Sequence, residues 1–134
     1  MASKVTTFLM FQGKQAEEAM RFYVDLFPNS SVDSLVYYGP GEMGPEGTVK
    51  IASFTLAGRG FRAIDSPPIH DFGFTPAISL FVDCTDRAEF DAACARLSEG
   101  GAMLMPPGEY GFSAAFAWLN DRFGVSWQLN VPFA

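Results

Sequence analysis

The stretch Asn120-Asp121-Arg122-Phe123-Gly124-Val125-Ser126-Trp127-Gln128-Leu129 decides how the end of the chain folds. It is a turn built on Asp and Gly that leads into a strand of alternating apolar and polar residues. Because successive side chains of a strand point to opposite faces, Trp127 and its apolar neighbours are predicted to pack into one layer. Gln128 is predicted to point the other way, with Ser126 and Asn130, and we expect that other side to be a cavity.

The composition is that of one globular domain with a full core. The chain has 134 residues, of which 49% are apolar and 18% are charged, and fourteen are Phe. Such a chain can bury a core and still have aromatic rings left to line a ligand pocket. The formal charge is −6 and no cluster of Lys and Arg occurs, which argues against a nucleic-acid partner.

Nothing in the sequence indicates export or a membrane partner. It has no long apolar run and no leader in which a basic segment precedes an apolar one, so we expect a soluble, cytoplasmic protein. Cys84 and Cys94 lie ten residues apart without a C-x-x-C pattern, which favours a reduced pair over a disulfide. Cys94 falls on a helical apolar stripe and is predicted to be a core residue.

Each half of the chain has the same predicted order of elements: strand, helix and three strands. In the first half the strands are predicted over residues 5–11, 31–38, 48–56 and 61–65, with a helix over 16–27. In the second half the strands are predicted over 77–83, 102–105, 114–119 and 125–131. The helix between the first two of these begins after Asp86, where Glu89 completes a capping box. Pro106-Pro107-Gly108 is predicted to break the chain after residue 105.

This repeat predicts an α+β fold made of two βαβββ modules. The modules cover about residues 1–66 and 77–134 of a single domain, 1–134, and the proline-rich segment 67–76 links them. Two such units are expected to curve their mostly antiparallel sheets into a cup around a shared space.

The loop between the second and third strands contains a misleading pattern. Gly39, Gly41 and Gly44 formally match G-x-G-x-x-G. A dinucleotide site needs a helix after the glycines, and none is predicted here. Two prolines remove amide donors and two glutamates would repel a pyrophosphate, so the loop is predicted to be a mobile hairpin connection.

Several segments together resemble a known family over nearly the whole chain. They are Phe8-Leu-Met-Phe11, Ala16-Glu-Glu-Ala-Met-Arg-Phe-Tyr23, Leu26-Phe-Pro28, Phe54-Thr-Leu-Ala-Gly58, Ile78-Ser-Leu-Phe-Val82 and Asp121-Arg-Phe-Gly-Val-Ser-Trp-Gln128. They look like the PhnB-like proteins, a family also labelled 3-demethylubiquinone-9 3-methyltransferase, in the vicinal-oxygen-chelate superfamily. The resemblance implies a glyoxalase/bleomycin-resistance-like fold with a central cavity, and usually a homodimer.

The resemblance also implies where a superfamily enzyme would hold its divalent metal. The four ligand positions fall near Phe8 and Ile51, at Ala77 with Ser79 beside it, and at Gln128. Only Gln128 could coordinate, and a neutral amide is a poor ligand for a transition metal. Since the chain has one histidine, a site with two or three His ligands is impossible. We therefore expect no tightly bound metal and no cofactor, while a magnesium site made of oxygen ligands stays open.

The methyltransferase label finds no support in the residues. A typical S-adenosylmethionine site uses a glycine-rich turn between a strand and a helix of a Rossmann-like sheet. The sequence predicts no such unit, so that activity is not carried over.

Four further side chains are candidates for catalysis or ligand binding in the cavity. Asp65 is placed at the mouth of the cup and His70 in the linker, and either could transfer a proton. Arg62 is either an anion anchor in the cavity or a solvated residue. Trp118 is the better of the two tryptophans for stacking on a ligand, because parity with Gln128 places Trp127 in the core.

Three functions remain open at this point. The first is a metal-free protein that binds a small hydrophobic or aromatic molecule, with contacts from Gln128, Trp118, Ser79, Phe8, Ile51 and Arg62. The second is a lyase, isomerase or transferase of the glyoxalase type that uses Asp65 or His70 for proton transfer. The third is an interaction module whose homodimer is the functional object.

Overall fold

Each half of the chain forms a four-stranded sheet covered by one helix, in a computed structural model that describes residues 2–134. The chain divides into two compact units, which meet in sequence at Gly73 and Phe74. We call them module 1 and module 2. The predicted α+β fold with two βαβββ modules is confirmed.

Module 1 has the strand order β1-β4-β3-β2, in which β1 and β4 run parallel and the other pairs are antiparallel. Its elements are β1 (Thr7–Gln12), α1 (Ala16–Val24), β2 (Ser31–Tyr37), β3 (Val49–Leu56) and β4 (Arg59–Ser66). The helix packs on β3, β2 and β4. The core of module 1 lies between α1 and the sheet, where Tyr23 packs on Phe54 and Phe54 stacks on Phe61.

Module 2 repeats this arrangement with the order β5-β8-β7-β6, in which only β5 and β8 are parallel. Its elements are β5 (Leu80–Asp83), α2 (Arg87–Ser98), β6 (Ala102–Gly108), β7 (Ala115–Asn120) and β8 (Ser126–Val131). The side of the sheet that faces α2 is fully apolar: Ala117, Leu119, Trp127 and Leu129 are all buried. Trp127 is completely buried, as its parity predicted.

Three predicted boundaries are wrong by three residues, more than any other. β6 continues through Pro106 and Pro107 to Gly108, because an edge strand tolerates proline where its register shifts, and the pairing with β7 shifts between Met105 and Gly108. β5 begins at Leu80 instead of residue 77, after a short turn. The first helix ends at Val24, although Phe27 beyond it is still buried.

Both cysteines are free and buried in module 2. Burial raises the pKa of the Cys84 thiol to about 12 and that of Cys94 to about 11. Thiols with such pKa values stay protonated at neutral pH and are poor nucleophiles. From residue 2 onward, no helix is long and apolar enough to cross a membrane.

Candidate functional site

The sheet of module 2 presents a row of three side chains on the face away from α2. Gln128 on β8 is the cross-strand partner of Trp118 on β7 and of Phe81 on β5. Because directly paired residues project from the same face, the amide lies between two aromatic side chains. Gln128 and Trp118 are both half-buried, and Phe81 is 54% exposed. We call this face of the module 2 sheet the Gln128 face.

A hydrogen-bonded relay fixes the tryptophan of this row. Trp118 Nε1 donates to Ser126 Oγ at 2.9 Å, and Ser126 Oγ lies 2.7 Å from Ser79 Oγ. Ser126 is almost completely buried, so the indole is held by a group that cannot reorient into water. The structure therefore brings together Gln128, Trp118 and Ser79, three of the residues that the sequence analysis proposed for ligand binding.

The carboxyl end of β8 adds an acceptor pair to the Gln128 face. Asn130 lies beside Asp83 on β5, and its Nδ2 donates to Asp83 Oδ1 at 2.9 Å. Asn130 Oδ1 is buried and has no hydrogen-bond partner among residues 2–134. The same holds for Asn120 Oδ1 at the other end of the face, where Asn120 pairs with Ser126. Buried carbonyls without a partner are rare and call for a physical explanation.

An aromatic cluster continues the row at the same end as Asn130. Phe116, the cross-strand partner of Asn130, lies 6.3 Å from Phe81 and 4.9 Å from Phe112, as ring centroids. Tyr110 lies 6.0 Å from Phe116 and 6.3 Å from Phe112. We call Phe81, Tyr110, Phe112 and Phe116 the aromatic cluster. Phe112 is 56% exposed and Phe116 is buried, so the cluster has an exposed ring that packs on a buried one.

Neither the aromatic cluster nor Asp83 is among the site residues predicted from the sequence. Asn130 had been assigned to the correct face by its parity with Gln128, but not to a role. Phe81 and Asp83 could have been found in the same way only if the parallel register of β5 on β8 had been known. Tyr110 and Phe112 lie outside any strand, where no periodicity predicts which way a side chain points.

The proposed residues of module 1 lie together on the corresponding face of its own sheet. Phe8 is the cross-strand partner of Arg62, which pairs with Ser53, two residues from Ile51 on β3. Arg62 is exposed and lies on the face away from α1. The role of Arg62 as an anion anchor stays a prediction.

Asp65 lies elsewhere, and its predicted position at the mouth of a cup is wrong. It shares the helix-facing side of the sheet with Phe61 and Ala63, and it is only 3% exposed. Its Oδ1 accepts from the backbone amides of Gln15 (3.0 Å) and Ala16 (2.8 Å), and its Oδ2 accepts from that of Val49 (2.9 Å). The carboxylate therefore caps the start of α1 and ties it to β3.

A cavity of about 290 Å³ opens around the start of α1. It is lined by Lys14, Glu17, Glu18, Gly47, Val49 and Asp65. Its one buried carboxylate, that of Asp65, already accepts three backbone hydrogen bonds. None of these six residues is aromatic, and Lys14, Glu17 and Glu18 carry charged side chains, so this cavity offers no ring surface for an aromatic ligand.

His70 ties the segment after β4 back to the sheet. Its Nε2 lies 3.0 Å from Ser66 Oγ, and its backbone amide donates to Gln12 Oε1 at 3.0 Å. Its ring lies 4.9 Å from that of Phe72. These contacts make His70 a part-buried residue with a serine hydroxyl partner, not the free loop residue that the sequence favoured.

The residues around Gln128 do not fit a metal ion. Its two cross-strand neighbours are Trp118 and Phe81, which carry no oxygen or sulfur donor. Throughout the described part of the chain, no group of three His, Cys, Asp or Glu side chains could hold a metal. A single amide oxygen is not a metal site in proteins.

Comparisons with protein families and with solved structures point to the same family. The family described as 3-demethylubiquinone-9 3-methyltransferase matches residues 3–130. A PhnB protein from Bacillus cereus is 51% identical, with a TM-score of 0.92 over 96% of this chain and 99% of that one. No functionally curated protein matches.

Two more distant structures support the fold. A protein from Pseudomonas aeruginosa is 23% identical, with a TM-score of 0.83 over 98% of each chain. A glyoxylase/bleomycin resistance protein/dioxygenase domain from Frankia sp. EAN1pec is 14% identical, with a TM-score of 0.67 over 99% of each chain. At these identities the likeness establishes the glyoxalase/bleomycin-resistance-like fold.

Proposed function

Because the chain belongs to the 3-demethylubiquinone-9 3-methyltransferase family, the PhnB-like proteins, and has their fold, we propose that it binds a small molecule. The ligand is aromatic or hydrophobic, and it lies on the Gln128 face without a tightly bound metal. One observation carries this proposal: Trp118, Gln128 and Phe81 form an unbroken row across three strands, next to the open rings of the aromatic cluster.

The chemistry of this row suits an aromatic ligand. Small-molecule sites are mostly apolar and aromatic, with a few polar groups that set orientation. Trp118 and Phe81 supply ring surface, and the relay through Ser126 keeps the indole in one orientation. Gln128 supplies one half-buried amide that can both donate and accept.

Methyl transfer is not part of the proposal, although the family carries that label. Both sheets are mixed and contain one parallel pair each, between β1 and β4 and between β5 and β8. Neither pair is a Rossmann-like unit in which a glycine-rich turn opens a helix over a cofactor.

A binding measurement with a fused-ring probe tests the proposal. We expect 2-naphthalenemethanol to bind the wild-type protein and to raise its melting temperature. Trp118→Ala should weaken binding about tenfold through the loss of ring contact, and Gln128→Ala about fivefold through the loss of a hydrogen bond. Calorimetric titration gives both affinities.

Phe133→Ala is the matched control, because Phe133 is an exposed aromatic residue outside all strands of module 2. It should leave the affinity unchanged. Equal binding by wild type and by both site variants would contradict the proposed location, and failure of every fused-ring probe to bind would contradict the function.

A second candidate function is supported by the pair Ser66–His70. With His70 Nε2 at 3.0 Å from a hydroxyl, the imidazole is positioned for proton transfer. Asp65 is a weak candidate for the same role, since both of its oxygens accept backbone amides. If the protein is an enzyme of this kind, His70→Gln should abolish turnover while leaving the melting temperature within a few degrees. Unchanged turnover would remove His70 from the mechanism.

The homodimer that the family resemblance implies remains a prediction. Light scattering at micromolar concentration tests it directly, and a monomer would contradict both the dimer and the function as an interaction module. The outcome does not affect the binding proposal, since every residue of the Gln128 face belongs to module 2 of one chain.

A further inference from the structure

The Gln128 face has acceptors at its Asn130 end that the protein does not satisfy. The amide orientation of Asn130 is determined, because only its nitrogen can donate to the Asp83 carboxylate. Its oxygen is therefore the atom left buried without a partner. Asp83 is exposed, its Oδ1 takes the Asn130 donor, and no contact of its Oδ2 is known within residues 2–134. The two residues together present acceptor atoms, and Asp83 takes one of the two N–H groups of Asn130 Nδ2.

The charge around these acceptors is one-sided. From residue 74 onward the basic residues are Arg87, Arg96 and Arg122. Two of them lie on α2 and the third lies in the turn between β7 and β8, so none is on a strand of the sheet. The carboxylate of Asp83 is consequently not neutralised by a cation on its own face. A negative ligand would meet the repulsion of Asp83, and the donors that Gln128 and Asn130 offer on this face are neutral amides, not cations.

The aromatic cluster adjoins the same acceptors. Phe116 is the direct partner of Asn130, and Phe81 lies two residues before Asp83 on β5. Ring faces carry negative electrostatic potential and attract cations, so the cluster favours the same sign of ligand charge as the carboxylate. The aromatic cluster and the acceptor atoms of Asp83 and Asn130 are thus adjacent on the Gln128 face.

We infer that the ligand of the Gln128 face is a planar aromatic molecule that carries a protonated amine, or a comparable group of hydrogen-bond donors, at one end. This inference rests on the proposed function. The ring system packs on Trp118 and the aromatic cluster, and the donor end lies at Asp83 and Asn130. To reach Asn130 Oδ1, the donor displaces the side chains that bury it.

Three probes with one ring system separate charge from ring contact: 2-naphthylmethylammonium, 2-naphthalenemethanol and 2-naphthoate. We expect the ammonium probe to bind most tightly and the carboxylate most weakly, with about a tenfold difference between the two. The difference should shrink at about 1 M NaCl, where the Debye length is about 3 Å. Calorimetric titration at low and high salt measures it.

Two variants locate the effect. Asp83→Asn keeps an oxygen acceptor for Asn130 Nδ2 but removes the charge, so it should reduce the preference for the ammonium probe more than it reduces binding of the alcohol. Glu99→Gln is the matched control, since it removes a carboxylate just beyond the end of α2 and should leave the preference intact. Phe112→Ala should weaken all three probes, because they share the ring system.

The outcomes separate this inference from the proposed function. Equal affinities for the three probes, all weakened by Trp118→Ala, would overturn the inference and leave the binding function standing. A charge preference that survives Asp83→Asn would also overturn it, since the acceptors would then lie elsewhere. If none of the probes binds, the proposed function fails and the inference fails with it.

Discussion

Each module contains a buried aspartate that accepts at least three N–H donors, and the two differ in how far along the chain those donors lie. Asp121 in module 2 accepts from the amides of Phe123 and Val125 and from Trp127 Nε1, all within six residues. Asp65 in module 1 accepts from the amides of Gln15, Ala16 and Val49, which precede it by 50, 49 and 16 residues. Asp121 organises a turn, whereas Asp65 joins three elements.

This difference explains why the sequence reveals the structural role of Asp121 and hides that of Asp65. A turn aspartate such as Asp121 is recognisable because its donors are close to it in sequence. Gly124, with a φ of 91°, completes the turn. An aspartate whose donors lie on other elements looks like any polar residue at the end of a strand. Asp65 was therefore read as a functional candidate, although its contacts make it a structural one. A buried carboxylate indicates function only when its hydrogen bonds are not already made by the protein.

Replacing Asp121 should have the largest effect on stability. Asp121→Ala leaves two turn amides and the indole N–H of the fully buried Trp127 without an acceptor. We expect a loss of about 3–5 kcal/mol in the free energy of unfolding. Urea denaturation measures this loss, and Arg122→Ala in the same turn provides a control for local substitution. A loss below about 1 kcal/mol would show that the turn is held by other contacts.

Replacing Asp65 should cost somewhat less. Asp65→Ala removes the acceptor of two amides at the start of α1 and of one on β3, and we expect a loss of about 2–4 kcal/mol. Asp65→Asn keeps an oxygen and should lose less than the alanine variant. If Asp65→Ala instead left stability intact and abolished a measured activity, our structural interpretation of this residue would be wrong.

The two helix starts provide a finer comparison. Asp86 caps α2 through its own side chain, which accepts from Glu89 N at 2.8 Å, whereas Gln15 makes no side-chain cap for α1. Asp86→Ala should therefore cost about 1 kcal/mol, and Gln15→Ala less than about 0.5 kcal/mol. Thermal unfolding of both variants tests this. Equal losses would mean that α1 does not depend on Asp65 for its cap.

The smallest effect is expected on the exposed side of module 1. The hydrogen bond from Tyr37 Oη holds the pKa of Glu17 below its usual value, and Glu17 raises the pKa of Tyr37 in turn. A lowered carboxylate pKa contributes stability above the ordinary Glu pKa, and this contribution is lost as the pH falls through the lowered value. Tyr37→Phe should remove this pH-dependent part, which acid titration of the melting temperature would detect as a slight flattening. If the melting temperature of Tyr37→Phe depended on acid pH as that of the wild type does, the result would contradict this role of Tyr37.

The faces of the two sheets differ in a way that sequence parity alone could not foresee. The family resemblance predicts Phe8 and Ile51 in one site with Gln128, and the strand pattern adds Arg62 and Trp118 as candidates. In module 1 the three are on one face and Arg62 is exposed there. In module 2 the corresponding face has an ordered relay, an acceptor pair and four linked rings. The polar groups of module 2 are paired across strands, and such pairing depends on register.

The sequence by itself determined the order of the elements, the repeat of the two modules and the direction of Trp127 and Gln128. These features follow from the spacing of side chains along a single strand or helix, which is local. Only the tertiary structure decided that Asp65 caps α1, that Ser126 holds Trp118, and that Asn130 meets Asp83. Each of these contacts joins elements whose register is set by the packing of a whole sheet, so no local pattern encodes it.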